Sequence, residues 1–114
     1  SRDGSGNDTE VRLLIDEHPS LLNVELDNYG STALILASTF NYIKIIKYFL
    51  TLKQLNINQQ NKSGRTALHF ACSKGWKEIV QSLLSHQNID INIRSHTGYT
   101  PLHLSSAAGH RDIV

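Results

Sequence analysis

Two histidines and one cysteine are the residues of this chain best suited to chemistry. His69 precedes Cys72 by three residues, a spacing that brings both side chains to one side of a helix, and His103 follows 34 residues after His69. A catalytic thiol needs a nearby base and a lowered pKa, whereas a metal site needs several ligands at short spacings. No second Cys or His stands at a ligand spacing around them. We therefore interpret Cys72 as a packed, inert thiol and predict no catalysis, no metal and no cofactor.

Composition sets the class of protein. The chain has 114 residues, 39% of them hydrophobic, which is enough for one domain with a core. No apolar run approaches the roughly 18 residues of a membrane span, so we expect no membrane insertion. A net charge of +1 argues against nucleic acid as a partner. The lone cysteine excludes an internal disulfide and favours a reducing compartment, the cytoplasm or alternatively the nucleus.

The elements that carry these residues recur with a fixed period. Three glycines stand 34 residues apart, at Gly30, Gly64 and Gly98, and each begins a near-copy of one pattern. The copies open GSTALI (30–35), GRTALH (64–69) and GYTPLH (98–103). A period of this length predicts stacked units, because one small unit cannot bury its own apolar face.

The middle copy is complete and predicts the local structure. Gly64 suits a turn, and Thr66 occupies the position of a helix N-cap. A first helix is predicted from about Ala67 to Lys74, ended by Gly75. A second is predicted from about Lys77 to Ser85, with an apolar stripe of Ile79, Val80, Leu83 and Leu84.

These combined motifs resemble the ankyrin repeat. The resemblance covers roughly residues 9–114 and includes the Leu-Leu pair at 83–84 and the Gly-His pair at 109–110. It implies an all-α fold, a solenoid of stacked helix-turn-helix units with β-hairpin-like finger loops. The implied domain is 9–114, divided into a partial repeat (9–26), two repeats (27–60 and 61–94) and a second partial repeat (95–114). Residues 1–8 are interpreted as linker or expression residues, and the whole as a fragment of a longer array.

The resemblance also assigns roles to single residues. His69 and His103 are expected to hydrogen-bond within the finger and first helix, while Asn58 and Asn92 close the loop from second helix to finger. Trp76 is expected to pack partly on Tyr42 or His110. The remaining histidines are expected to be solvated: His18, His86, His96 and His110.

Two features depart from the family pattern. Ile35 stands where the motif has His, which predicts apolar packing there. The period is one residue longer than usual, and the extra residue is expected in an outer loop near 53–54 and 87–88, where added length costs little.

A partner surface follows from the resemblance, since partners of such proteins meet the finger tips and the exposed side of the first helices. Aromatic and arginine side chains are favoured at interface centres. The candidate partner-binding residues are Tyr29, Ser31, Phe40, Lys62, Arg65, Lys74, Arg94, His96 and Tyr99.

The function predicted is a monomeric protein–protein interaction module that binds a protein or peptide of unknown identity. One alternative is a regulatory or targeting appendage of a larger enzyme or small-ligand-binding protein whose active domain lies outside these residues; another is a structural spacer. The lysines and arginines are expected to be solvated and offset by acidic residues, with a mildly basic groove for an acidic peptide as the alternative.

Overall fold

A computed structural model describes residues 8–110, in which six α-helices follow one another without a β-strand. The helices are α1 (Asp8–Glu17), α2 (Ala33–Thr39), α3 (Ile43–Phe49), α4 (Ala67–Lys74), α5 (Lys77–Leu84) and α6 (Pro101–Ala107). A short 3-10 helix (Pro19–Leu21) follows α1. Residues 1–7 of the predicted linker (1–8) and residues 111–114 lie outside the described residues, and Asp8 begins α1.

The helices form two layers. First helices α2, α4 and α6 pack side by side, and second helices α1, α3 and α5 pack in the same order behind them. Within a repeat, α2 packs on α3 and α4 packs on α5. The predicted solenoid of helix-turn-helix units is confirmed.

Each first helix begins at the predicted threonine. The hydroxyl oxygens of Thr32, Thr66 and Thr100 accept hydrogen bonds from backbone N–H groups three residues on, at 3.3, 3.4 and 3.3 Å. These bonds satisfy donors that the first turn of a helix leaves unpaired. The predicted bounds of α4 agree with the structure.

The corner between the two helices of a repeat needs a left-handed residue. Gly75 has φ 74° after α4, and Asn41 takes the same position after α2 with φ 63°. Asparagine tolerates this conformation better than other residues with a Cβ, so the first repeat makes the same corner without glycine.

The residue after the second and third corners ties its repeat to the preceding one, which adds a hydrogen bond to the expected partial packing of Trp76 and corrects the expectation for His110. Trp76 Nε1 donates to the Thr39 carbonyl at 3.2 Å, and His110 Nε2 donates to the Ser73 carbonyl at 3.1 Å. Trp76 therefore bonds backwards along the array, and His110 is not simply solvated. Both rings reach the end of the previous first helix because stacking places that carbonyl at the corner.

The core lies between the two layers. Ile46, Phe49, Ile79 and Leu83 are fully buried there. Leu84 departs from the predicted apolar stripe, because it is 46% exposed. It lies in a groove with Leu102 that no element within residues 8–110 covers.

The outer loops contain turns where the extra residue of each repeat is expected. Leu55 N donates to Leu52 O and Ile89 N donates to His86 O, both at 3.2 Å, so turns enclose residues 53–54 and 87–88. That the added residue of each repeat lies in these turns stays a prediction.

Asparagines join these outer loops across repeats. Asn23 Nδ2 donates to Gln54 O at 2.7 Å, and Asn58 Nδ2 donates to Asn88 O at 2.8 Å. The Oδ1 atoms of Asn23 and Asn58 accept from the backbone N–H groups of Asn56 and Asp90, at 2.8 and 2.9 Å. The prediction that Asn58 closes its own loop is wrong, since its amide binds the outer loop of the next repeat.

Candidate partner-binding surface

The three fingers are turns built around one capping side chain each. Asp27 Oδ1 accepts from the N–H groups of Tyr29 and Ser31 at 2.9 and 3.0 Å. Asn61 Oδ1 accepts in the same way from Ser63 and Arg65, both at 3.0 Å. These bonds fix the turn from its inside, so the side chains at its tip are not needed to hold it.

The third finger uses a serine for the same purpose. Ser95 Oγ accepts from Tyr99 N at 3.2 Å and lies 3.0 Å from Thr97 Oγ1. The capping residue therefore changes from Asp to Asn to Ser along the array. In the first finger, backbone N–H groups hold the pKa of the Asp27 carboxyl below its usual range.

Backbone hydrogen bonds place neighbouring finger tips side by side. Lys62 N donates to Tyr29 O, and His96 N donates to Ser63 O, both at 2.9 Å. Tip residues that are 33 positions apart in the sequence are therefore neighbours in space. The structure brings the predicted residues Tyr29, Lys62 and His96 together along one edge.

Exposure separates the predicted residues into two groups. Tyr29 is 74% exposed, Phe40 59% and Tyr99 49%. Exposed cations accompany them at Lys62, Lys74 and Arg94, together with His96. Ser31 does not fit the predicted partner-binding surface, because it is only 6% exposed and its backbone N–H is held within the turn.

Sequence reasoning missed an apolar row on the first helices. Leu36, Phe70 and Leu104 are half-buried and occupy the same position of α2, α4 and α6. The Arg65 guanidinium lies 5.9 Å from the centre of the Phe70 ring, within the range of a cation–π contact. The signal was available, since these residues follow the capping threonines by four positions.

His69 is structural and joins two fingers. Its Nδ1 accepts from Thr66 N at 3.0 Å, and its Nε2 donates to Tyr99 O at 2.9 Å. Burial, chiefly, and the nearby Arg65 charge lower the pKa of this imidazole, while the bond to Tyr99 opposes them. His103 Nδ1 accepts from Thr100 N at 3.2 Å in the same manner. Both histidines make the predicted local hydrogen bond, and His69 in addition bonds the finger of the next repeat.

Cys72 offers little reactivity. The residue is 3% exposed, and burial raises the pKa of its thiol. A raised pKa leaves little thiolate, which is the nucleophilic form. Within residues 8–110, no three His, Cys, Asp or Glu side chains gather as a metal site requires. In that same part of the chain, no helix is long and apolar enough to cross a bilayer.

Comparison with known families agrees with this architecture. The description "Ankyrin repeats (3 copies)" matches residues 48–114, and "Ankyrin repeat" matches residues 29–62. A search of curated proteins finds no significant match.

Proposed function

The chain belongs to the ankyrin-repeat family, and from that premise we propose that its finger tips and first helices bind a partner protein. Repeats of this family are generally protein–protein interaction modules. The observation that carries the proposal is the set of exposed aromatic side chains on this side of the array, at Tyr29, Phe40 and Tyr99.

These aromatic side chains contribute little to holding the fold. The turns are closed by Asp27, Asn61 and Ser95, and the bonds between neighbouring fingers use backbone atoms and the His69 imidazole. A large aromatic side chain that is exposed to water contributes little apolar burial to folding, whereas at an interface it buries much area. We assign the contact surface to Tyr29, Phe40, Lys62, Arg65, Lys74, Arg94, His96 and Tyr99.

Binding suits the polar groups better than catalysis does. Both ring nitrogens of His69 are occupied by structural hydrogen bonds, and the thiol of Cys72 is buried with a raised pKa. The imidazole therefore has no free nitrogen with which to act as a base. We propose that these residues form no active site.

A peptide selection tests the proposal without knowledge of the partner. Peptides selected from a random 12-residue display library against the protein would be titrated against a front variant, Tyr29→Ala/Arg65→Ala/Tyr99→Ala. We expect affinity to fall at least about tenfold, since interface aromatic and Arg anchors each contribute over about 1 kcal/mol.

A back variant, Leu13→Ala/Lys44→Ala/Lys53→Ala, is the matched control because these exposed side chains belong to the second-helix layer and the outer loops. Both variants would first be checked for unchanged melting. Equal affinities for the front variant and the wild type would overturn the assigned surface.

We further propose that the module is a monomer of the cytoplasm, or alternatively of the nucleus. The single, buried, unpaired cysteine supports the assignment to these reducing compartments. Light scattering over a tenfold concentration range tests the first statement, because a dimer would raise the apparent mass.

A further inference from the structure

Charge is distributed unevenly along this nearly neutral chain. Residues 1–27 contain seven Asp or Glu and two Arg, a net charge of −5. Residues 28–110 contain eight Lys or Arg and only two acidic residues, a net charge of +6. Fifty consecutive residues, 28–77, contain no Asp or Glu. The overall charge of +1 therefore conceals a basic region that includes the second and third fingers.

The two acidic residues of the basic region lie away from the partner-binding surface. Glu78 is on α5 and pairs with Lys47 at 3.2 Å, while Asp90 lies in an outer loop. The second and third fingers and the helices that follow them, α4 and α6, contain no carboxylate side chain.

The capping residues show how the fingers remain folded without negative charge. Asp27, Asn61 and Ser95 accept the same kind of backbone hydrogen bond in successive turns. Only the first of them is a carboxylate. The second and third turns therefore keep their shape and lose the charge that would repel an anion.

Three cations of this surface, Arg65, Lys74 and Arg94, have no acidic partner among the described residues. Within residues 8–110, Lys74 and Arg94 make no ion pair, and Arg65 lies over Phe70. Lys62 marks the border of the basic region, because its charge helps to lower the pKa of Asp27.

Their spacing suits an extended peptide that also carries an apolar side chain. Phe70 and Lys74 are four residues apart on α4 and so lie on one side of it, with Arg65 beside the ring. Phe70 and Lys74 are about 6 Å apart along the helix axis, a distance that roughly two residues of extended chain span.

Arg94 lies alongside. Gln60 Nε2 donates both to Gly64 O in the second finger and to Arg94 O, at 2.8 and 3.3 Å. The amide of one side chain thus connects the second finger to the base of the third.

We propose that the second and third fingers, with α4 and α6, bind an acidic peptide segment. Its carboxylates contact Arg65, Lys74 and Arg94, and an apolar side chain packs on Phe70, with Leu104 and Tyr99 alongside. This inference rests on the proposed function and specifies its partner class. An acidic peptide fits better than nucleic acid, because the surface offers four cations (Lys62, Arg65, Lys74 and Arg94) on a chain whose net charge is only +1, short of the strongly basic footprint of a nucleic-acid-binding domain.

Charge reversal tests the inference. Peptides from the random 12-residue library would be selected on the wild-type protein and on Lys74→Glu/Arg94→Glu. We expect Asp and Glu to be enriched in the first pool and depleted in the second. The best wild-type peptide should bind the variant at least about tenfold more weakly at low salt, and its affinity should fall as salt rises.

The matched control is Lys44→Glu/Lys53→Glu, which makes the same charge change on exposed residues of α3 and an outer loop. It should change affinity by less than about threefold, since these charges lie on the far side and are screened within about 10 Å at 0.1 M salt. An equal loss in both variants would mean general attraction and would overturn the inference.

Other outcomes separate this inference from the proposed function. Neutral or basic peptides that still depend on Tyr29, Arg65 and Tyr99 would overturn the acidic partner and leave the interaction module standing. A 12-nucleotide single strand that binds more tightly than the best peptide would also overturn it. Enrichment of no peptide on this surface would overturn both.

Discussion

The contact between α2 and α4 and the contact between α4 and α6 are built from different chemistry, although the helices are near copies. Ile35 and Ala71 are apolar and buried, whereas the equivalent positions one repeat later hold His69 and Ser105, which are also fully buried. His69 bonds Tyr99 O, and Ser105 Oγ donates to Cys72 O at 3.2 Å.

The difference shows that one architecture can be held by burial or by directed hydrogen bonds. Apolar side chains stabilise the protein in any close-packed arrangement, whereas a buried polar side chain that lacks its hydrogen-bond partners destabilises it. The α4–α6 contact therefore specifies how the third finger sits on the second repeat, and the α2–α4 contact depends more on volume.

The largest change in the free energy of unfolding is expected from replacing His69. His69→Ile makes the second repeat resemble the first and leaves Thr66 N and Tyr99 O without their side-chain partner. We expect a loss of about 2–3 kcal/mol, because each unsatisfied buried group costs about 1–3 kcal/mol. Urea unfolding followed by circular dichroism measures it.

Ile35→Val is the control in the apolar contact and should cost about 1 kcal/mol. If the two substitutions proved equally mild, the distinction between the two contacts would be lost.

Acid should weaken the α4–α6 contact before the α2–α4 contact. Because the pKa of His69 is lower in the folded protein than its ordinary value of 6.5, the unfolded chain binds the proton more readily. The stability that the neutral His69 ring contributes is fully present above about pH 6.5 and declines as pH falls below that value.

Unfolding midpoints measured between pH 7.5 and 5 check this prediction. His69→Ile should show a flatter profile than the wild type over that range. A variant as steep as the wild type would place the dependence on other groups.

Trp76 sharpens the comparison at the helix corner. Trp76→Phe keeps an aromatic ring and removes the donor to Thr39 O. We expect a loss of about 1 kcal/mol, the net value of one such hydrogen bond. Thermal melting of His110→Phe, which loses the bond to Ser73 O, provides the parallel at the next corner. A stabilised Trp76→Phe would contradict the assigned role.

The smallest effect is expected for the ion pair between Lys47 and Glu78. Their side chains are 59% and 64% exposed, and such pairs contribute about 0–1 kcal/mol. A double-mutant cycle with Lys47→Ala and Glu78→Ala should give a coupling below about 1 kcal/mol that vanishes in 1 M salt. A larger coupling would contradict the minor role assigned to this exposed ion pair.

The sequence predicted what local chemistry decides. The threonine caps, the bounds of α4 and the corner at Gly75 follow from interactions within a few residues. The direction of Trp76, the reach of Asn58 and the exposure of Leu84 depend on how repeats stack, which one repeat's sequence does not contain.

The site was predictable to a similar degree. The 34-residue register located the exposed tips at Tyr29 and Tyr99, but it did not distinguish them from Ser31, which the turn encloses. The apolar row that includes Phe70 was visible in the register and overlooked. The net charge of +1 does not reveal how unevenly the acidic and basic residues are distributed along the chain.

The two lines of hydrogen bonds that join the repeats have a mechanical consequence. On the finger side the repeats are joined through backbone atoms, at Lys62–Tyr29 and His96–Ser63; on the outer side they are joined by the amides of Asn23 and Asn58. The backbone links form whatever the side chain, whereas the links made by His69, Gln60 and the outer asparagines can be changed by substitution. Substituting Asn23 or Asn58 would therefore loosen the joints between outer loops without changing any residue of the proposed partner-binding surface.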